Sequence, residues 1–296
     1  MKYLPSFLNY LGLFAALSLS AATAGAQTQP VPLELRVINH GPASFHVNSV
    51  LVLGAKEAVL LDAGFTRADA LRVVAAVLDS GKTLSTIYVS AADPDYYFGL
   101  EVLRQEFPGA RIVTAAPTLK KIEASLPTKL KVWGPRLGAN APRQAVIPEL
   151  MSGNTLSLEG RTLEVRGLSG TLAHRSYVWI PSLKAVVGGV NSFGGLHAWT
   201  ADTQTVAERA AWVAKIDEQL ALQPAVVVPG HMLPGTVQDA SVLRYTRDYL
   251  QRFETELPRA ANAATLITTM QAAYPQAGLG IALDIGAKVN KGEMNW

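Results

Sequence analysis

The segment IYVSAADPDYYFGLEVL (residues 87–103) joins an apolar run to an amphipathic one, with two aspartates, two tyrosines and a glycine between them. The first part predicts a buried strand, and the second predicts the start of a helix. Asp95 and Tyr96 are then expected in the first helical turn, where free backbone N–H groups favour negative charge. Asp93 and Asp95 therefore have two interpretations: they cap this helix, or they belong to a metal site.

The net charge and the cysteine content limit which partners and which metal ligands are expected. Lys and Arg number 26 against 23 Asp and Glu, for a formal net charge of +3. This near balance argues against a nucleic-acid partner, which needs a strongly basic surface. The chain has no cysteine, so any metal must be held by His, Asp or Glu.

The first 26 residues have the pattern of a secretory signal peptide. Lys2 precedes an apolar run over residues 11–17, and the small residues Ala-Gly-Ala close the segment at Ala26. The apolar run is too short to remain as a membrane anchor. We expect cleavage after Ala26, a periplasmic or secreted product without a stable membrane anchor, and a single domain over residues 27–296.

The rest of the chain alternates between short apolar strands and amphipathic helices. This order predicts an α/β fold in which two packed mixed sheets are covered by helices. The Gly- and Pro-rich residues 132–148 predict a long loop, in which Trp133 either closes over a cleft or pins the loop to the core. A later helix is expected to be capped by Asp202 or Thr203.

Histidines supply the remaining candidates for a site. His231 follows the buried strand PAVVVPGH, where a hydrogen-bonded structural role competes with a role in a site. His197 and His174 lie in loops, and each is either a residue of a cleft or a structural residue. His40 and His46 lie early in the chain and are interpreted as structural or exposed.

Together these segments resemble the metallo-β-lactamase fold superfamily, an αββα sandwich. The signature loop of that superfamily reads Thr-His-x-His-x-Asp-His-x-x-Gly between a strand and a helix. The corresponding residues of this chain are, in order, Ser90, Ala91, Asp93, Asp95, Tyr96 and Gly99. The run DPDYY also resembles an exported subfamily that has Asp-Pro-Asp-Tyr-Tyr in this loop, commonly preceded by a histidine at the position of Ala91.

Three other segments support the resemblance. Asp62 in AVLLDAGF takes the position of an acidic residue that braces the site from behind, and His231 takes that of a metal ligand. Gly189 in VWIPSLKAVVGGV stands where the superfamily has an aspartate that bridges two metals. Another ligand histidine is expected near Leu172, and His174 lies close to that position.

The departures from the signature imply a reduced site. All three loop histidines are absent, so a binuclear zinc centre is not expected. The resemblance implies one divalent ion, zinc or manganese, on ligands drawn from Asp93, Asp95, His231 and either His174 or His197. An oxygen-rich set suits manganese better than zinc. In this interpretation Asp95 is a general base and Tyr96 a neutral donor to an oxyanion.

Three functions remain open at this stage. The first is an exported hydrolase that acts on a small ester, lactone or amide through a mononuclear metal site. The second is a ligand-binding protein that has lost its metal and its activity, and the third is a structural partner in a complex. Neighbouring carboxylates repel one another unless a cation or a proton joins them, so the pair Asp93 and Asp95 favours a cation or a raised pKa.

Overall fold

The computed structural model describes residues 1–4 and 31–296, so the predicted leader lies almost wholly outside the described residues. The chain divides into two compact units, Met1–Val31 and Pro32–Trp296. Every described strand and helix belongs to the second unit. Within the described ranges, none of the helices has both the length and the apolar character needed to cross a membrane.

One layer of the second unit is a six-stranded sheet. Its strands are, in spatial order, β1 (Glu34–Asn39), β2 (Asn48–Leu53), β3 (Glu57–Leu61), β4 (Thr83–Val89), β5 (Arg111–Thr114) and β6 (Glu149–Leu150). Strands β1, β2 and β3 pair antiparallel, whereas β3 to β6 pair in parallel. The parallel strands bring their carboxyl ends to one edge of the sheet.

The other layer is a five-stranded sheet. Its strands are β7 (Thr155–Leu158), β8 (Arg161–Arg166), β9 (Tyr177–Ile180), β10 (Ala185–Val187) and β12 (Val226–Val228), in the spatial order β12-β10-β9-β8-β7. Strands β10 and β12 pair in parallel. Two short strands, β11 (Phe193–Gly194) and β13 (His231–Met232), pair separately beside it.

Side chains of the strands alternate between two cores. On β2, Val50 and Val52 lie in the core between the sheets, together with Val178 of β9. Leu51 and Leu53, at the intervening positions, lie in the core beneath the helices. Both faces of this strand are therefore buried, which explains its nearly continuous apolar sequence. The predicted α/β sandwich of two mixed sheets and flanking helices is confirmed.

Helices cover the outer faces of the sheets. The described helices are α1 (Arg67–Ser80), α2 (Pro94–Tyr97), α3 (Leu100–Glu106), α4 (Ala116–Leu137), α5 (Val206–Ala221), α6 (Ala240–Glu256), α7 (Ala263–Ala273) and α8 (Gly280–Asn290). Helix α1 is capped by Gly81, which has a φ of 64° and donates its N–H to the carbonyl of Leu78. Asp95 lies in the first turn of α2, as the sequence predicts.

The predicted loop over residues 132–148 is wrong in its first part, whereas residues 141–148 form neither helix nor strand. Helix α4 continues to Leu137 and contains both Pro127 and Pro135. Trp133 is 8% exposed, and its ring contacts the rings of Phe45 and Phe65 at centroid distances of 5.5 and 5.4 Å. This packing outweighs the poor helix propensity of the Gly- and Pro-rich segment. Trp133 is therefore held in a helix and not in a loop.

The predicted cap of α5 is also wrong. The helix begins later, and Thr205 is its N-cap. The Thr205 side chain accepts the N–H of Glu208, and the Glu208 carboxylate accepts the N–H of Thr205. This reciprocal pair satisfies two backbone donors, where Asp202 or Thr203 would satisfy one.

Candidate functional site

Four turns meet at the carboxyl ends of β3, β4, β10 and β12. Asp62 follows β3, Ser90 follows β4, Gly188 and Gly189 follow β10, and His231 comes shortly after β12. Strands β3 and β4 are parallel neighbours in one sheet, and β10 and β12 are parallel neighbours in the other. The carboxyl ends of parallel strands are where α/β folds place their sites.

Asp62 ties these turns together from behind. Its fully buried carboxylate accepts the N–H of Ser90 and the hydroxyl of Ser90, each at 2.7 Å. The Ser90 oxygen in turn accepts the N–H of Gly189 at 2.8 Å, which links the two sheets. Burial raises the pKa of Asp62 to about 7, and the hydrogen bonds from Ser90 act in the opposite direction. Its φ of 65° lies in the left-handed region, which Asp and Asn tolerate best.

Asp95 and His231 face each other, with 3.4 Å between Oδ2 and Nε2. The other ring nitrogen, Nδ1, lies 2.9 Å from the carbonyl oxygen of Phe45. A carbonyl oxygen only accepts, so Nδ1 carries the proton and the lone pair of Nε2 is directed toward Asp95. The ring of Phe193 stacks on the imidazole at 4.9 Å and 4° and fixes its plane.

Burial sets the protonation of this pair. It lowers the pKa of His231 to about 4, so the imidazole is neutral at pH 7. Burial, and then the nearby charge of Asp93, raises the pKa of Asp95 well above its usual range. The pair therefore joins a neutral imidazole to a carboxyl group for which burial favours the protonated form. A divalent cation would displace that proton and relieve the cost of burying a carboxylate.

The pair opens into a cavity of about 520 Å³, a volume that includes its mouth. Six aromatic side chains line it: Phe45, Phe65, Trp133, Phe193, Trp199 and Trp296. We call this space the aromatic cavity. Its charged lining, besides Asp95 and His231, consists of Asp93, Lys129, Arg175 and Asp202.

A second cavity of about 590 Å³ adjoins the first and shares four charged residues with it, Asp93, Lys129, Arg175 and Asp202. We call it the polar cavity. His174 lines the polar cavity and not the aromatic one. Burial, and then the charges of Arg175 and Lys121, lowers the pKa of His174 to about 4.

The structure puts two other predicted residues away from the cavity linings. His197 is buried, and its Nδ1 lies 3.2 Å from the hydroxyl of Tyr249. The hydroxyl of Tyr96 is buried without a hydrogen-bond partner and packs against Gly230. The Tyr96 ring meets the His231 ring edge-on, at 5.8 Å.

Several residues of the site have no signal in the sequence. Phe45 provides the carbonyl that orients His231, although the two residues are 186 positions apart. Phe193 stacks on the same ring, and Lys129 and Arg175 bring positive charge to the cavities. These residue types are common and stand in no motif, so only their places in the fold reveal them.

The side chains that could bind a metal fit a cation with few protein ligands better than one held by three or more. In residues 1–4 and 31–296, no group of three or more His, Asp or Glu side chains converges as metal ligands do. Asp95 and His231 supply one oxygen and one nitrogen at a ligand-to-ligand distance, and Asp93 lines the same cavity. A catalytic zinc needs three protein ligands, whereas Mg²⁺ and Mn²⁺ accept fewer protein oxygens and more waters.

Gly230 is a position where no side chain fits. An added Cβ would clash with the carbonyl oxygen of Gly189 and with the hydroxyl of Tyr96. We expect Gly230→Ala to lower the free energy of unfolding by about 2–4 kcal/mol, measured by urea denaturation. Gly134→Ala on α4 is the matched control, because nothing lies within 4 Å of the added Cβ. It should be neutral or stabilising by up to ~1 kcal/mol, and equal effects of the two changes would contradict the prediction.

Comparison with known proteins gives a family and a fold. The family model of the metallo-beta-lactamase superfamily matches residues 44–231, more than half of the chain. A metallo-beta-lactamase family protein from Thermus thermophilus is similar, at 16% identity and a TM-score of 0.60, over 88% of this chain and 92% of that one. A metallo-beta-lactamase from Pontibacter korlensis is also similar, at 19% identity and a TM-score of 0.52, over 74% and 94%. At such identities the solved structures support the fold alone, and no curated protein matches the chain.

Proposed function

Because the chain belongs to the metallo-β-lactamase superfamily, we propose that it is a hydrolase with a reduced, mononuclear metal site that acts on a small ester, lactone or amide. The pair of Asp95 and His231 carries this proposal. It combines a neutral imidazole with a free lone pair and a buried carboxyl group, 3.4 Å apart, in a cavity lined by aromatic rings. A structural capping role for Asp95 would require none of these features.

Asp95 and His231 would hold the ion, and Asp93 is the third candidate because it lines the same cavity. His174 is better placed than His197 to complete the set, since it lines the adjoining cavity that also contains Asp93. This oxygen-rich set favours manganese over zinc. A divalent ion there supplies Lewis acidity, which favours deprotonation of water near neutral pH.

Residues of the chain position the reactants and move the proton. Asp95, once ionised, accepts a hydrogen bond from the attacking water and takes its proton as general base. The aromatic walls exclude bulk water around it. Tyr96 stays protonated because burial raises its pKa, but a role as oxyanion donor would need its hydroxyl to leave Gly230 and reach the cavity.

Export is part of the same proposal. The leader-like residues 1–26, with cleavage after Ala26, support a periplasmic or secreted protein that meets a small-molecule substrate outside the cytoplasm. The near-neutral charge supports a function that does not involve nucleic acid.

A ligand-binding protein without metal is the second candidate. The absence of a converging three-donor group in the described residues favours it, as does the aromatic wall of the cavity. The third interpretation, a structural partner, receives less support. Among the described residues of α6 to α8, Ile281 is the one large apolar side chain that is exposed.

Metal content separates the two leading functions. We expect about one equivalent of a divalent ion, by mass spectrometry, in the mature protein purified without chelator or affinity metal. Asp93→Ala and His231→Ala should lose it, because each removes a donor from the aromatic cavity. His197→Gln should retain it, because His197 lines neither cavity. A wild type without metal, even after Zn²⁺ or Mn²⁺ is added, would exclude the metal-dependent hydrolase and leave the ligand-binding function.

A further inference from the structure

Arg175 is a buried cation whose guanidinium lacks the usual partners. The residue is 2% exposed, and its Nε and Nη1 atoms are buried without a hydrogen-bond partner. The guanidinium carbon lies 4.9 Å from the centre of the Trp212 ring. This cation–π contact offsets part of the cost of burying the charge, but it satisfies none of the N–H donors.

The fold satisfies its other buried cations. Lys215 donates to three backbone carbonyls, at 2.5, 2.8 and 3.1 Å. Arg209 forms an ion pair with Glu254 and donates to Asn290. Burying a charge without partners is costly. Lys215 and Arg209 avoid this cost through their partners, and Arg175 does not.

Arg175 lies at the wall of the two cavities and not only in the packed core. It lines both the aromatic and the polar cavity, and so does Lys129. The acidic residues of the aromatic cavity are Asp93, Asp95 and Asp202. Asp202 accepts a hydrogen bond from the indole of Trp296 at 2.7 Å, and Asp95 is the residue proposed to act on the substrate. The Arg175 side chain therefore borders a space that also has a reactive pair and aromatic walls, and two of its nitrogens have no partner within the chain.

We propose that Arg175, assisted by Lys129, binds the carboxylate of an organic anion whose apolar body lies among the aromatic side chains of the aromatic cavity. The planar guanidinium matches a carboxylate in two parallel hydrogen bonds. The aromatic rings provide a surface for a ring or an alkyl chain. If the anion is the substrate, the proposal rests on the proposed hydrolase function. The substrate is then an amphipathic carboxylate with its scissile bond near Asp95 and His231.

Tryptophan fluorescence provides a direct test, because Trp133, Trp199 and Trp296 line the aromatic cavity. The probes are 4-phenylbutyrate and its neutral analogue 4-phenylbutyramide, titrated into the mature protein in EDTA. We expect the wild type to bind the carboxylate about ten- to hundredfold more tightly than the amide. Arg175→Met should abolish this preference, and Arg175→Lys should retain part of it. Equal affinity for the two probes, or no binding of the carboxylate at about 10 mM, would overturn the proposal.

Two controls exclude a merely structural role of Arg175. Lys121→Met changes a cation that lines the polar cavity but not the aromatic one, and it should leave the preference unchanged. Arg175→Met should melt no lower than the wild type in the absence of ligand, since it removes a buried charge with unpaired donors. A lower melting temperature together with an unchanged carboxylate preference would show that Arg175 supports the fold alone. Because EDTA removes metal from the assay, failure of this proposal and failure of the metal-dependent hydrolase are distinguishable.

Discussion

Asparagine in place of Asp95 is expected to abolish hydrolysis and metal binding and, at pH 8, to make the protein more stable than the wild type. The variant keeps the size and shape of the side chain but removes both the negative charge and the base. Loss of a general base lowers the rate by about 10²–10⁴-fold, and the loss of a metal donor adds to this. The stability gain arises because the amide is neutral at every pH, whereas the buried carboxyl group must either retain a proton or bury a charge.

The sign of the pH dependence follows from the raised pKa of Asp95. In the unfolded chain the group ionises near its ordinary value of 3.8, whereas in the folded chain it keeps its proton to a much higher pH. As pH rises above 3.8, the unfolded state therefore loses a proton that the folded state retains, and the free energy of unfolding falls. Asp95→Asn removes this loss. The variant should match the wild type near pH 3.8 and exceed it increasingly up to the folded-state pKa.

Thermal unfolding in EDTA between pH 4 and pH 8 measures the effect without interference from a bound cation. Asp79→Asn, at an exposed position of α1, is the control for the same substitution outside the site, and it should not reproduce the gain at pH 8. Hydrolysis of 4-nitrophenyl esters supplies the activity readout. An Asp95→Asn protein that is less stable than the wild type at pH 8, or equally active, would refute the assignment of Asp95 as a buried base.

Alanine in place of Asp62 is expected to lower the free energy of unfolding by about 3–5 kcal/mol. It leaves the N–H and the hydroxyl of Ser90 without acceptors in a fully buried place. It also puts alanine at a φ of 65°, in the left-handed region. Asn keeps one carbonyl acceptor and tolerates this conformation, so Asp62→Asn should cost about half as much.

Urea denaturation of Asp62→Ala, Asp62→Asn and Ser90→Ala measures the contribution of this network. The combined change Asp62→Asn and Ser90→Ala should cost less than the sum of the two, because both remove the same hydrogen bond. Activity should fall with stability, since the Ser90 oxygen also holds the N–H of Gly189. If both Asp62 variants unfold at the same urea concentration as the wild type, Asp62 does not hold these turns together.

Local patterns were sufficient to predict most of the architecture. Short apolar runs, such as the one that opens residues 87–103, predicted the strands, and amphipathic runs predicted the helices. The pattern failed where packing overrides propensity: Trp133 holds α4 in a helical conformation through a segment with Pro135 inside it. It failed again at α5, where two polar residues were plausible caps and a third, Thr205, forms the better reciprocal pair.

For the site, the sequence predicted Asp95 and His231 as partners through a resemblance, and the structure brings them within 3.4 Å. Whether His174 or His197 could be a ligand depended on which of their loops faces a cavity. No local sequence pattern determines this. His174 lines the polar cavity, whereas His197 lies against Tyr249. Asp93 lines both cavities, so its role as a ligand remains a prediction for the metal analysis.

The sequence by itself determined the layered fold, the position of the acidic loop at the end of β4, and the absence of thiol chemistry. These properties depend on periodicity, turn residues and composition, which are local. Only the tertiary structure decided the tautomer of His231, the burial that raises the pKa of Asp95, the aromatic wall and the unpaired donors of Arg175. Each of these arises where segments distant in sequence pack together, because hydrogen-bond partners and desolvation are fixed by neighbours in space and not by neighbours along the chain.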